Sequence, residues 1–178
     1  MGNGCQAVVL AGGAGIDADT FRSAMRQLAG GICAITVGRG DERTGLTSTS
    51  VSSLSAEPPA LVFCINKTAS SWPILQARRA FAVNVLPPGH RSVADRFSGR
   101  NGVKGLDRYE GARWSELVTG TPVLLDALAV LDCEVEDLIE RFGSAVVIGR
   151  VVAARVRGED AEPEALTYWR GAYSVIRR

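Results

Sequence analysis

Apolar positions fall in short runs, several of them alternating with polar residues, and glycine or proline closes most of them. Ile32–Val37, Leu46–Ser53, Ala60–Ile65, Phe81–Val85, Ala129–Val135, Ala145–Val156, Leu166–Trp169 and Tyr173–Ile176 read as β-strands. The punctuation is Gly38-Arg39-Gly40-Asp41, Pro58-Pro59 and Pro87-Pro88-Gly89, all of it turn-forming. Helical spacing is rarer. Phe21, Met25 and Leu28 recur at i, i+4, i+7, which predicts a helix from Phe21 to Ala29, capped by Asp19 or Thr20 and stopped by Gly30-Gly31. Short helices fit Ser71–Gln76, with Pro73 in the first turn, and Ser92–Phe97. Strands that do not alternate with long helices disfavour a doubly wound sheet. They predict a mainly β protein, an antiparallel barrel or sandwich with a few short helices. Gly99–Gly111, with Lys104, Asp107 and Arg108, is the expected mobile loop.

Residues 1–18 are rich in Gly and Ala and predict a flexible arm ahead of one domain spanning 19–178. Val8 to Gly15 mimics a strand entering a phosphate loop. Ala18 stands where the third glycine would be, and no βαβ unit follows.

A chain of 178 residues suits one sizeable domain. With 20 Lys+Arg against 19 Asp+Glu it lacks the cationic excess of a nucleic-acid-binding domain. No apolar run approaches the roughly 20 residues of a membrane helix. Met1–Gln6 holds no Lys or Arg and Ala7–Leu10 is too short for a signal core, so a cytoplasmic protein is expected. Cys5, Cys33, Cys64 and Cys133 are widely spaced, which argues against a clustered-thiol metal site. The last three lie in apolar runs and are expected to be reduced core residues. His90 is the single histidine, so paired-histidine metal sites are absent and no metal is expected.

The most unusual segment is Thr47-Ser48-Thr49-Ser50-Val51-Ser52-Ser53-Leu54-Ser55. On one continuous strand, Thr47, Thr49, Val51 and Ser53 would share a face, and Ser48, Ser50, Ser52 and Leu54 the other. A solvated edge accounts for such a run. So does a polar edge whose hydroxyls and N–H groups meet a planar heterocycle. Next, Asn66-Lys67-Thr68-Ala69-Ser70-Ser71 joins a strand to a short helix. Lys67, the hydroxyls and free helix N–H groups suit a phosphate, although a plain serine cap beside a solvated lysine fits the same residues. Arg91 and Arg96 are further cations within reach of a phosphate or of solvent. Tyr168, Trp169, Arg170 and Tyr173 bring three aromatics and an arginine together, for ring stacking or for core packing.

The ordered series TGLTSTSVSSLSAEPPALVFCINKTASSW, FAVNVL, ADRFSG, PVLLDALAVLDCEVE, VIGRVV and YWRGAY resembles the flavin reductase components of two-component flavin-dependent monooxygenases. The similarity runs from about Phe21 to Arg178. Its pieces are similar to the subgroup serving pyrimidine, phenol and steroid-ring hydroxylases. The resemblance implies an FMN-binding antiparallel split β-barrel of Greek-key type and a homodimer. It implies NAD(P)H:flavin oxidoreductase activity that supplies reduced FMN, or FAD, to a separate monooxygenase. It further implies flavin contacts at Thr47, Ser48, Thr49, Ser50 and Ser53, at Asn66, Lys67, Ser70 and Ser71, and near Arg96. Family members often carry Gly-Asp-His before the strand ending Ile-Gly-x-Val; this chain has Phe142-Gly143-Ser144-Ala145. That histidine is associated with nicotinamide placement, which leaves Ser144, Arg170 and Tyr173 as candidates to line the nicotinamide site. Hydride transfer between two cofactors needs no protein nucleophile, so one histidine is no obstacle. A flavin-retaining oxidoreductase of the same fold and a non-catalytic flavin-binding barrel are the alternatives.

Overall fold

The computed structural model describes residues 15–99, 102–158 and 164–177. The phosphate-loop-like piece at 8–15 and the predicted arm therefore fall almost wholly outside the described residues.

The fold is mainly antiparallel β. One sheet of seven strands has the order β3-β2-β6-β9-β10-β5-β4. Its members are β2 (Cys33–Val37), β3 (Thr44–Ser48), β4 (Ser52–Ala56), β5 (Pro59–Asn66), β6 (Ala80–Val85), β9 (Ala129–Arg141) and β10 (Ser144–Val156). A second sheet joins β1 (Gly30–Gly31), β11 (Glu164–Trp169) and β12 (Ala172–Arg177), and β7 (Trp114–Glu116) pairs with β8 (Pro122–Leu124). Helices are short: α1 (Ala18–Met25), α2 (Trp72–Arg78) and α3 (Arg91–Phe97).

Strand alternation builds two apolar layers on the large sheet. Cys33, Ile35 and Val37 of β2 join Leu61, Phe63, Ile65, Phe81, Val83, Cys133 and Val147 on one side, where Trp72 and Leu75 of α2 close the layer. Ala34 and Ala82 face the other side, under Val93, Ala94 and Phe97 of α3 and Leu166 of β11. Covered on both faces, β2 is buried at all five positions. Its one polar residue is satisfied, because Thr36 donates to Pro122 O at 2.6 Å. Buried Asn84 similarly donates to Ala34 O at 3.0 Å and accepts from Leu124 N at 2.7 Å.

The two ends of the seven-stranded sheet, β3 and β4, are consecutive in sequence yet not hydrogen-bonded to each other. This split overturns the expectation of one continuous strand over 46–53. Ser48 Oγ accepts from Ser50 N at 3.1 Å, a local bond that diverts the backbone from the ladder. The two-face alternation expected across 47–54 therefore does not hold.

Other expectations also shift. Asp17, not Asp19 or Thr20, caps α1, its carboxylate accepting from Asp19 N and Thr20 N at 2.8 and 2.9 Å, which lowers its pKa. That helix ends at Met25, and Phe21, Met25 and Leu28 stay 53%, 47% and 65% exposed, with none of the described residues covering them. Cys33 and Cys133 are buried, and burial pushes both thiols up to about 12. Cys64 is exposed, because it falls on the outward row of β5. Within 99–111, the turn Gly105–Tyr109 is packed rather than loose: Tyr109 is buried, donates to Thr44 O at 2.6 Å and meets both Phe97 and Trp114 edge-on.

Candidate functional site

The split places the hydroxyl-rich linker, Thr49–Val51, against the end of β5. Ser50 Oγ accepts from Cys64 N at 3.0 Å and lies 2.9 Å from Ser48 Oγ. Thr47 is tied elsewhere, donating to Ala94 O of α3 at 2.6 Å. Thr49 is exposed, and its side chain lies over Gly30. Linker and α3 are thus fixed to one another through β3. The approach is close: a Cβ on Gly45 would lie 2.2 Å from Ile35 O and 2.6 Å from the Phe97 ring.

After β5, residues 66–71 cross from the β9–β10 turn to the base of α3. Asn66 is in register with Ser144, and Lys67 N donates to Gly143 O at 3.0 Å. Asn66 Oδ1 accepts from the Thr68 amide and hydroxyl, both at 2.9 Å, which shapes the turn. At the far end Ser71 is fully buried and starts α2, but its Oγ makes no capping bond and has no hydrogen-bond partner among the described residues. Ser70 Oγ, beside it, lies 3.5 Å from Arg108 Nη2.

Arg108 is the residue that sequence reasoning missed. It is only 7% exposed, and its Nη1 donates to Gly45 O and to Phe97 O. Its Nε has no partner, and no carboxylate pairs with it among the described residues. Burial pulls the guanidinium below its ordinary pKa. A buried cation held only by carbonyls and a serine is electrostatically incomplete. The three cations nominated from sequence are already matched: Lys67 Nζ to Glu140 at 3.0 Å, Arg96 Nη1 to Glu110 at 3.2 Å and Asp107 O at 2.7 Å, and Arg91 Nε to Asp95 at 3.9 Å. The signal for Arg108 in the sequence was its neighbour Tyr109, an aromatic inside a stretch otherwise rich in glycine and charge.

The tail also reaches α3. Tyr173 donates to Asp95 Oδ1 at 2.8 Å, and the Arg91 guanidinium sits 4.9 Å from its ring centre. Arg170 holds φ +50 in the β11–β12 turn, its guanidinium over Trp169. Ser144, Asn66 and Lys67 therefore gather at one end of β5, Ser48 and Ser50 beside Cys64, and Ser70, Ser71 and Arg108 near α3. Arg96 and Tyr173 sit on or against α3 itself. Ser53 is apart: with Val51, Leu61, Leu131, Val151 and Ala153 it lines an aliphatic groove of about 480 Å³.

Residues 25–177 match the family described as flavin reductase like domain. The chain belongs to that family. It is 36% identical over 156 residues to an FMN reductase (NADH) of Rhizobium rhizogenes, covering 88% of this chain and 87% of that one. It is 34% identical over 161 residues to HsaB, the reductase subunit of a flavin-dependent monooxygenase of Mycobacterium tuberculosis, covering 90% and 83%. Among solved structures, an NADH:FAD oxidoreductase of Streptomyces globisporus in complex with NAD and FAD fragments superposes with a TM-score of 0.78 at 28% identity, over 89% of this chain and 92% of that one. Against this flavin reductase background, Ser71 Oγ and Arg108 Nε, each without a hydrogen-bond partner among the described residues, are two donors of the kind a flavin phosphate takes. Ser48 and Ser50 offer hydroxyls suited to the polar edge of an isoalloxazine ring.

Proposed function

We propose that this flavin reductase family chain is an NAD(P)H:flavin oxidoreductase that reduces FMN or FAD and passes the reduced flavin to a separate monooxygenase. The observation that carries the reading is a hydroxyl-lined split between β3 and β4 together with a buried arginine that has no carboxylate partner among the described residues. Bound flavin supplies the hydride acceptor, and NAD(P)H supplies the hydride. The chain's part is positioning and electrostatics. Ser48 and Ser50 hold the polar ring edge, with Thr47 and Thr49 framing them. Ser70, Ser71 and Arg108 take the phosphate, with Lys67 and Arg96 at its margins. Asn66 holds the turn that joins the two ends. Ser144, Arg170 and Tyr173 line the nicotinamide side, Tyr173 being fixed by Asp95.

Residues 19–178 act as one reductase domain. Two copies associate through the aliphatic groove on β4, β5, β9 and β10, which places Ser53 at the dimer contact. The cytoplasm suits free thiols such as Cys33, Cys64 and Cys133. No helix among the described residues is long and apolar enough to cross a membrane.

The test mixes the purified chain with NADH or NADPH and free FMN, FAD or riboflavin and follows loss of the reduced-nicotinamide absorbance. Oxidation that rises with added flavin is expected. Absence of oxidation with every pair refutes the reading, and turnover that needs no added flavin replaces it with a flavin-retaining enzyme.

A further inference from the structure

Two arginines, Arg43 and Arg108, meet at one buried tyrosine. Arg43 leads into β3 with extended backbone, φ −60 and ψ 133, so it shares a strand face with Gly45 while Thr44 takes the other. Contacts fix which face that is. A Cβ on Gly45 would lie 2.6 Å from the Phe97 ring of α3, and the Arg43 guanidinium carbon sits 5.0 Å from the centre of the Tyr109 ring. Arg108 reaches the same place from the turn Gly105–Tyr109, donating to Gly45 O and Phe97 O. Tyr109 is pinned there by its bond to Thr44 O at 2.6 Å. Both positive charges act on its phenol: burial pushes the hydroxyl above its ordinary pKa, and Arg43 and Arg108 each pull it back.

Neither charge is answered among the described residues. The carboxylates of the neighbouring turns are taken, Glu42 by Arg78 and Glu110 by Arg96. Arg43 Nε, like Arg108 Nε, is a buried donor with no hydrogen-bond partner among the described residues. Stacking on Tyr109 accounts for the plane of the Arg43 guanidinium and supplies no acceptor for its N–H groups. Two like charges brought to one buried ring cost stability until an anion joins them. Their spacing indicates its size. Arg43 and Gly45 are two residues apart, about 7 Å at strand rise. Arg108 holds Gly45 O and also lies 3.5 Å from Ser70 Oγ. Ser70, Arg108 and Arg43 thus form a row. One phosphate fills its Ser70–Arg108 end and leaves the Arg43 end open.

We propose that Arg43 is the second cation of a diphosphate subsite, so that this chain prefers FAD to FMN. The proposal rests on the reductase reading above, with Arg108 as the partner of the first phosphate. FMN carries one phosphate and leaves Arg43 to water. FAD carries two, linked, and each guanidinium donates parallel N–H bonds to one of them. Arg43 is half-buried where Arg108 is closed off, so the adenosine leaves the fold on the Arg43 side. NAD(P)H also carries a diphosphate, so the test reads both ligands.

The test measures FAD, FMN and riboflavin binding by equilibrium dialysis against wild type, Arg43→Met and Arg43→Lys, with thermal melts and the KM for NADH at saturating FAD. Wild type is expected to bind FAD about tenfold tighter than FMN, the worth of one charge-assisted phosphate contact. Arg43→Met keeps an unbranched stem on Tyr109. It is expected to lose that tenfold for FAD, with FMN, riboflavin and the KM for NADH within about twofold. Arg43→Lys is expected to recover part of the FAD preference. Wild type that binds FMN as tightly as FAD overturns the proposal, whether or not a variant folds. So does equal weakening of all three flavins in Arg43→Met, which would make Arg43 a brace for Tyr109. A rise confined to the KM for NADH also overturns it and gives the diphosphate to the dinucleotide. Wild type that binds no flavin and oxidises no reduced nicotinamide removes the reductase reading itself, an outcome distinct from a chain that reduces FMN and FAD alike.

Discussion

Arg108→Met removes a buried cation while keeping an unbranched apolar stem in its place. The guanidinium donates to Gly45 O and Phe97 O, and each charge-assisted bond is worth about 1.5–3 kcal/mol. Against that stands the desolvation of a charge with no anionic partner, several kcal/mol in a dry site. The two effects largely cancel, so the free protein is expected to lose only about 1–2 kcal/mol. The flavin-bound state is different. A phosphate beside Arg108, Ser70 and Ser71 completes the unpaired charge, and losing that contact costs about 2 kcal/mol, roughly 30-fold in FMN affinity. Riboflavin has the same ring and no phosphate, so its affinity is expected to change by less than about threefold. The assay is a flavin-fluorescence titration of both ligands against wild type and variant, with a melt to confirm folding. Arg108→Lys keeps the charge and is expected to recover part of the FMN preference. Equal weakening of FMN and riboflavin would show that Arg108 only braces β3 and α3, and would refute the phosphate reasoning.

Three further outcomes are expected. Lys67→Ala should weaken FMN by no more than about threefold, because its pair with Glu140 is solvent-exposed and worth about 0–1 kcal/mol; a larger effect than that of Arg108→Met would transfer the anion role to Lys67. Gly149→Ala should lower stability by about 1–3 kcal/mol, since the added Cβ would lie 2.3 Å from Phe81 Cζ and 3.3 Å from Cys133 Cβ; an unchanged melting temperature would contradict the packing between β10 and β6. Thiol labelling at pH 8 followed by peptide mapping should modify Cys64 rapidly and leave Cys33 and Cys133 intact until denaturant is added, because thiols raised to about 12 are almost wholly protonated; early labelling of Cys133 would contradict its burial.

The strands were legible because their alternation reflects one buried face, as in β5, where Leu61, Phe63 and Ile65 are buried between more exposed neighbours. The break inside the hydroxyl segment was not. Serine and threonine are equally at home on a strand edge and in a turn, and only the Ser48–Ser50 bond, which depends on where β5 ends, decides between them. The exposure of Cys64 was hidden for a related reason: an apolar run does not reveal which of its alternate positions faces out. Arg108 illustrates the largest gap. Glycines and charges around it suggested a mobile loop, and its burial follows from Tyr109 and Trp114 packing on Phe97, contacts remote from one another along the chain. Family-like motifs pointed to the right neighbourhoods on β3, β5 and α3. Whether a given cation there is already paired, as Lys67 and Arg96 are, depends on partners 73 and 14 residues away.

A crystal structure of the chain soaked with FMN addresses the central assignment most directly. The account predicts isoalloxazine density along the Ser48–Ser50 linker with the phosphate against Ser71 and Arg108. Density confined to the aliphatic groove beside Val151 and Ala153, with the split left bare at saturating FMN, would contradict it.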